Sequence, residues 1–226
     1  VTTVLSHDEA RRTYDRIGSL QDSQGFYEDR AVERLLAHCE LDAARSVFEL
    51  GCGTGRLADR LLAERLPPEA RYRGIDLSPH MVSLARARLA PHGDRAEVVE
   101  SDGEPPRAEP TAAFDRFLAA YVFDLLSEED IRGMLAEAHR MLVPGGLLGV
   151  TGLSTGVGPV SRTVERAWRW LQERHPAWVG GCRPIDVRPL LPEDAWTLVH
   201  HEKVVAFGVT SEVLVARRAG PAAQPA

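Results

Sequence analysis

The sequence predicts an α/β fold, a three-layer sandwich in which a mostly parallel seven-stranded sheet carries helices on both faces. Three observations predict it. Apolar runs with strand character alternate with stretches of helical spacing from residue 46 to residue 153, the rhythm of parallel strands joined by crossover helices. Glycines cluster where the first of these runs gives way to a helix. Two alternating segments near the C-terminus are separated only by Phe207 and Gly208, a gap so short that the pair must be antiparallel. One antiparallel strand is therefore expected in the edge region of the sheet.

Residues 28–41 show amphipathic helical spacing. Residues 46–50 (SVFEL) are a short apolar run, read as a buried strand. Leu57, Leu61 and Leu62 lie at helical spacing in 55–65, and Pro67-Pro68 ends that helix. A second strand covers 71–77. Ser78-Pro79 then starts a helix with a side-chain cap and a first-turn proline. Strands follow at 95–99 and 114–122. Ser127 with Glu128, Glu129 and Asp130 opens a helix running to about Leu142, its acids placed to favour the positive N-terminal dipole. Pro144-Gly145-Gly146 is read as a turn into a fifth strand, Leu147 to Leu153. After residue 155 comes a helix near 161–174, then a Gly/Pro-rich stretch, then the terminal strand pair 196–206 and 209–217.

The organisation expected is a single domain over 1–218, with 1–42 as an N-terminal helical cover, 156–192 as an insert on the substrate side, and a disordered tail from 219 to 226. With 44% hydrophobic and 27% charged residues the chain can bury a core. A net charge of -6 argues against a general nucleic-acid binder, which needs a basic face. Cys39, Cys52 and Cys182 have no paired spacing, giving neither a disulfide framework nor a zinc ligand set, and a reducing cytoplasm is expected. No apolar run approaches the roughly 20 residues that span a bilayer, and the polar N-terminus has no signal-peptide core.

The informative stretch is Glu49-Leu50-Gly51-Cys52-Gly53-Thr54-Gly55-Arg56. Glycines at a strand–helix junction admit close ligand approach and backbone conformations closed to other residues, and a helix N-terminus offers amides to a polar ligand. The dinucleotide pattern G-x-G-x-x-G would need a glycine at residue 56, which is Arg56. That reading fails. The pattern acid-x-G-x-G-x-G instead resembles the first motif of class I methyltransferases that use S-adenosylmethionine (SAM). Asp76 ends the second strand, Asp102 and Gly103 follow the third, and Pro144-Gly145-Gly146-Leu147 precedes the fifth, each where that family carries a matching feature.

The resemblance covers residues 45–155 well. It implies a cofactor site built from Glu49, Gly51, Cys52, Gly53, Thr54 and Gly55, with the amide of Cys52 turned to the ligand. Asp76 and Leu77 would lie at the ribose, Met81, Asp102 and Gly103 at the adenine, and Ala119 at the end of the fourth strand. It also implies catalytic candidates on the acceptor side: Tyr121, Asp124 and, from the N-terminal cover, Tyr14. Each has a plainer alternative. Asp124 could be a surface acid at a helix start, Asp-Gly is a common turn, and Met81 could be core packing. Phe26 is read as packing. Trp168 and Trp170, two apart on a helix, cannot share one face. His200 and His201 point to opposite faces of a strand, a poor metal pair; no metal is expected.

Methyl transfer from a sulfonium mainly needs alignment of the acceptor and exclusion of water. The function expected is SAM-dependent methylation of a small molecule, with S-adenosylhomocysteine as product. Runs typical of enzymes acting on DNA bases are missing after the fourth strand. No DNA, no membrane and a monomer or homodimer are the partner expectations. A protein or RNA substrate, and a SAM- or nucleotide-binding protein without transfer activity, remain as alternatives.

Overall fold

The computed structural model describes residues 9, 11–12, 25–174 and 181–220. Seven strands, β1 (Ser46–Leu50), β2 (Arg71–Asp76), β3 (Ala96–Glu100), β4 (Phe114–Ala120), β5 (Leu142–Leu153), β6 (Trp196–Ala206) and β7 (Val209–Arg218), form one sheet. Their order is β3-β2-β1-β4-β5-β7-β6. Strands β1 to β5 pair in parallel, whereas β7 runs antiparallel to both β5 and β6. The single reversed strand thus lies one place in from the edge, which β6 occupies. The mostly parallel seven-stranded sheet read from the sequence is the sheet observed.

Five α-helices lie wholly among the described residues: α1 (Gly25–His38), α2 (Arg56–Arg60), α3 (Pro79–Leu89), α4 (Glu128–Met141) and α5 (Pro159–Arg174). Their starts follow from local chemistry. Ser78 caps α3 by accepting from the Met81 amide at 3.1 Å, with Pro79 in the first turn. Ser127 and Asp130 cap α4 reciprocally as a capping box. Helix α2 widens into a π-turn over Leu61–Arg65, closed by Leu66 N donating to Leu61 O at 2.9 Å.

Side chains alternate across the sheet and build a core on each face. Val47, Tyr72, Leu118 and Val215 face a cluster containing Ala31 and Leu35 of α1, Ala58 of α2 and Val82 and Ala85 of α3. Phe48, Phe117, Leu148 and Leu214 face the other, where α4 buries Ile131, Met134, Leu135, Ala138 and Met141. That spacing of three and four is the apolar stripe of an amphipathic helix, and each fully buried large side chain contributes about 1.5–3 kcal/mol. A smaller cluster joins Tyr27, Leu153 and Cys182 to Trp168 of α5.

One boundary differs from the sequence reading. Strand β5 begins at Leu142, and Pro144-Gly145-Gly146 lies inside it as an irregularity, not before it as a turn. Phe114 pairs with Leu142 but Arg116 pairs with Leu147, so β5 bulges. Gly145 takes φ 81, a left-handed conformation that suits glycine at such a kink.

Candidate active site

The order of the sheet reverses between β1 and β4, and ligands of open α/β sheets bind in the crevice outside the carboxyl ends of strands at such a point. A cleft of about 410 Å³ lies there. Its walls are the loop after β1, Tyr121 after β4, the first turns of α1 (Glu28, Asp29 and Val32), and α2.

The loop is shaped by three left-handed glycines, Gly51, Gly53 and Gly55, with φ 66, 53 and 76. A Cβ on Gly51 would sit 2.3 Å from Val122 Cγ2, and one on Gly55 3.0 Å from Ala85 Cα. Both conformation and space therefore demand glycine at those two positions. The loop's amides are more occupied than the sequence suggested. Cys52 N donates to Ile75 O at 3.0 Å and Gly55 N to Cys52 O at 2.9 Å, while Gly53 N donates to Asp76 Oδ2 at 2.8 Å. The expectation that Cys52 offers its amide to a ligand is corrected: that amide ties the loop to β2. Arg88 of α3 adds a clamp, donating to Thr54 O at 3.0 Å and Thr54 Oγ1 at 2.6 Å.

Glu49 is buried at the end of β1 and lines the cleft. Tyr72 donates to its Oε2 at 2.6 Å. Burial pushes the Glu49 carboxyl up to about 7, against the opposing effect of the Tyr72 hydrogen bond. Asp76 is half-buried; besides Gly53 N it accepts from Ser78 N at 2.9 Å. Leu77, next to it, is also half-buried. Asp102 is exposed and accepts from Glu104 N at 3.0 Å, and Gly103 has φ 90, so this pair forms an Asx-type turn.

Two expected contacts are displaced. Met81, in the first turn of α3, is fully buried, so it presents no surface to an adenine. Ala119 is fully buried on the α4 face; the residue of β4 that reaches the cleft is its neighbour Ala120, because successive strand residues point to opposite faces.

Tyr121, just after β4, lines the cleft with φ 55, rare for a non-glycine residue. Its amide donates to Thr151 O at 2.7 Å, its hydroxyl lies 2.8 Å from Ser211 Oγ, and its ring meets Tyr27 edge to face at 5.9 Å. Asp124 is neither at the surface nor in the cleft. It is fully buried under a short 3-10 turn, Phe123–Leu125. Its Oδ2 accepts from Leu153 N at 3.3 Å, while Oδ1 has no hydrogen-bond partner among the described residues. Burial raises its carboxyl to about 7. Tyr14, His175 and Trp178 lie outside the described residues. Trp168 turns inward and donates to Cys182 O at 2.9 Å, whereas Trp170 is exposed with Arg174 4.6 Å above its ring.

Sequence reasoning missed Tyr72, Arg88 and Glu28, each brought to the site by tertiary contact; the glycine spacing carried no signal for them. It set His200 and His201 aside as a metal pair and did not consider His38. His200 stacks on His38 at 3.6 Å and, with Glu202, makes a set of side chains able to approach one metal ion. The rings stack nearly parallel, at 13°, and Arg34 holds Glu202 at 2.6 Å. His201 lies apart, 2.8 Å from Glu212. No helix among the described residues is long and apolar enough to cross a membrane.

With this geometry in place, the comparisons with known proteins agree. Residues 47–146 match a family model described as a methyltransferase domain. Nocamycin O-methyltransferase of Saccharothrix syringae is 30% identical over 208 residues, covering 91% of this chain and 69% of that protein. Malonyl-[acyl-carrier protein] O-methyltransferase of Hahella chejuensis is 32% identical over 164 residues, covering 72% of this chain and 52% of that protein. The chain spans about half the length of several curated relatives it matches. Among solved structures the [4+2]-cyclase SpnF superposes with a TM-score of 0.72 at 19% identity, covering 96% of this chain and 98% of that one. The chain belongs to the class I SAM-dependent methyltransferase family. The methyl donor of that family is SAM.

Proposed function

We propose that the chain catalyses transfer of the SAM methyl group to a small-molecule acceptor. The observation that carries this reading is the loop of three left-handed glycines at the switch point, tied through Gly53 N to the carboxylate of Asp76 one strand over. The residues present fit SAM. A buried carboxylate suits a ligand carrying sulfonium and ammonium charges: Glu49 lines the cleft. Asp76, half-buried at the end of β2, can accept from vicinal hydroxyls because a carboxylate offers two oxygens. When bound, the donor supplies an activated methyl group on a neutral leaving group. The protein's own part is to orient it along the loop, keep the acceptor beside Tyr121, and exclude water. We read 1–218 as one domain, with 1–42 as an N-terminal helical cover and 156–192 as an insert on the substrate side.

Titration calorimetry tests this. S-adenosylhomocysteine should bind and NAD should not. Asp76→Ala should weaken homocysteine-product binding by about 1–3 kcal/mol through lost charge-assisted bonds. Affinity unchanged in that variant would place the sugar elsewhere.

A further inference from the structure

Every cleft-facing group on the acceptor side can be asked whether it could take the proton that an acceptor hydroxyl or amine must lose. Asp124 cannot reach it: the residue is fully buried and forms no part of the cleft wall. Asp29, which does line the cleft, is held in an ion pair by Arg56. Tyr121 is engaged with Ser211, and burial drives its phenol upward, away from ionisation. Glu28 differs from all of these. It lies in the first turn of α1 and lines the cleft together with Tyr121 and Gly51. It makes no ion pair among the described residues. Tyr27 beside it is buried and packs edge to face on Tyr121 at 5.9 Å, so Glu28 and Tyr121 share one wall of the cleft.

We propose that Glu28 is the proton acceptor of the reaction and that the acceptor substrate is a protic nucleophile, a hydroxyl or an amine, and not a carboxylate. The inference rests on the methyl-transfer reading above. As the acceptor's oxygen or nitrogen forms its bond to the methyl carbon, the carbon–sulfur bond breaks and its electron pair stays on the sulfur. The proton of the O–H or N–H passes to the Glu28 carboxylate, which later returns it to solvent. Charges balance: one cation and one carboxylate become a neutral thioether and a carboxylic acid. A base matched to neutral pH serves best, and burial with the nearby Asp124 holds Glu28 at about 7.

The cleft's own charge argues for the same substrate class. Glu28, Asp29, Glu49, Asp59 and Glu64 line it, while its two guanidinium groups, Arg56 and Arg60, are paired with Asp29 and Glu33. A carboxylate acceptor would bring a like charge against these acids with no unpaired cation in the described wall, and it would have no proton to give.

The test is Glu28→Gln, nearly isosteric and half-buried. Calorimetry with S-adenosylhomocysteine should give the wild-type affinity within about twofold; failure of both proteins to bind it would remove the underlying reading, and this one with it. Carbon-13 NMR of labelled glutamate carboxyls should show one resonance titrating near neutrality that Glu28→Gln deletes. A Glu28 resonance titrating in the ordinary carboxylate range overturns the proposal. With methyl-labelled SAM and a panel of phenols, alkylamines and di- and tricarboxylates, label should enter alkali-stable products. The variant should be about 100-fold slower at pH 7, and the gap should narrow as pH rises and the acceptor ionises unaided. Alkali-labile label released as methanol, or a variant as fast as wild type, overturns it.

Discussion

At Gly51 two demands meet in one residue: a left-handed backbone, φ 66, and a space already filled by Val122 Cγ2 at 2.3 Å from where a Cβ would be. Gly51→Ala should therefore lose stability by about 2–4 kcal/mol, the left-handed penalty and the overpacking together. In thermal unfolding that is a Tm drop of roughly 4–16 °C for a chain of this size; a drop under 2 °C would show that Val122 yields freely. Glu49 carries a second prediction. Its carboxyl, raised to about 7, is mostly protonated below that pH, and a bound cation favours the ionised form. SAM affinity should thus rise as pH climbs through 7, with a proton released on binding, and Glu49→Gln should flatten the dependence. Calorimetry in buffers of differing ionisation enthalpy reads the proton directly. No proton release near pH 7 would place the ligand's positive charge away from Glu49.

Among the elements, the segment that closes the far end of β5 hangs on a single cation. Lys203, the only lysine of the chain, donates to Asp186 Oδ1 at 2.9 Å and to Thr155 Oγ1 at 2.6 Å. Asp186 also accepts from Ser154 and Thr155, and its carboxyl is held down at about 2 despite its partial burial. An unfolded Asp titrates near 3.9. The stabilisation is therefore fully present above that pH and is lost as pH falls toward 2. Lys203→Met should lower Tm by several degrees, about 1–3 kcal/mol for a charged hydrogen bond, and should shrink the acid-side loss of stability. Helices were legible because their signals are local: Ser78 with Pro79, and Ser127 with Asp130, cap where the sequence places them. The start of β5 was not. Gly145 and Gly146 read as punctuation, yet the sheet absorbs them as a bulge, a choice made by pairing with β4. The assignment of Ala119 to the cleft failed by one residue, and in a strand one residue is the opposite face.

For the whole molecule, the parallel sheet was legible in the alternation of elements, and the reversed strand in the two-residue gap at Phe207-Gly208. Tyr72, 23 residues from Glu49, and Arg88, 34 residues from Thr54, reach the loop only through packing. No spacing rule could name them. Since ligand binding to the folded state alone stabilises it, S-adenosylhomocysteine at 100 times its Kd should add about 2.7 kcal/mol, or roughly 5–11 °C in Tm. NAD at equal concentration should add nothing; a comparable shift with NAD would contradict the nucleoside assigned to the cleft.

The two sides of this cavity have different construction. One is main chain, knotted to the neighbouring strand by Cys52 and Gly53 and to itself by Gly55, and tolerates little change. The other is a row of replaceable side chains on α1, joined to α2 by surface charge pairs such as Asp29–Arg56 and Glu33–Arg60, which individually stabilise little. Editing that one helix would thus remake the side-chain wall while the main-chain wall is inherited intact.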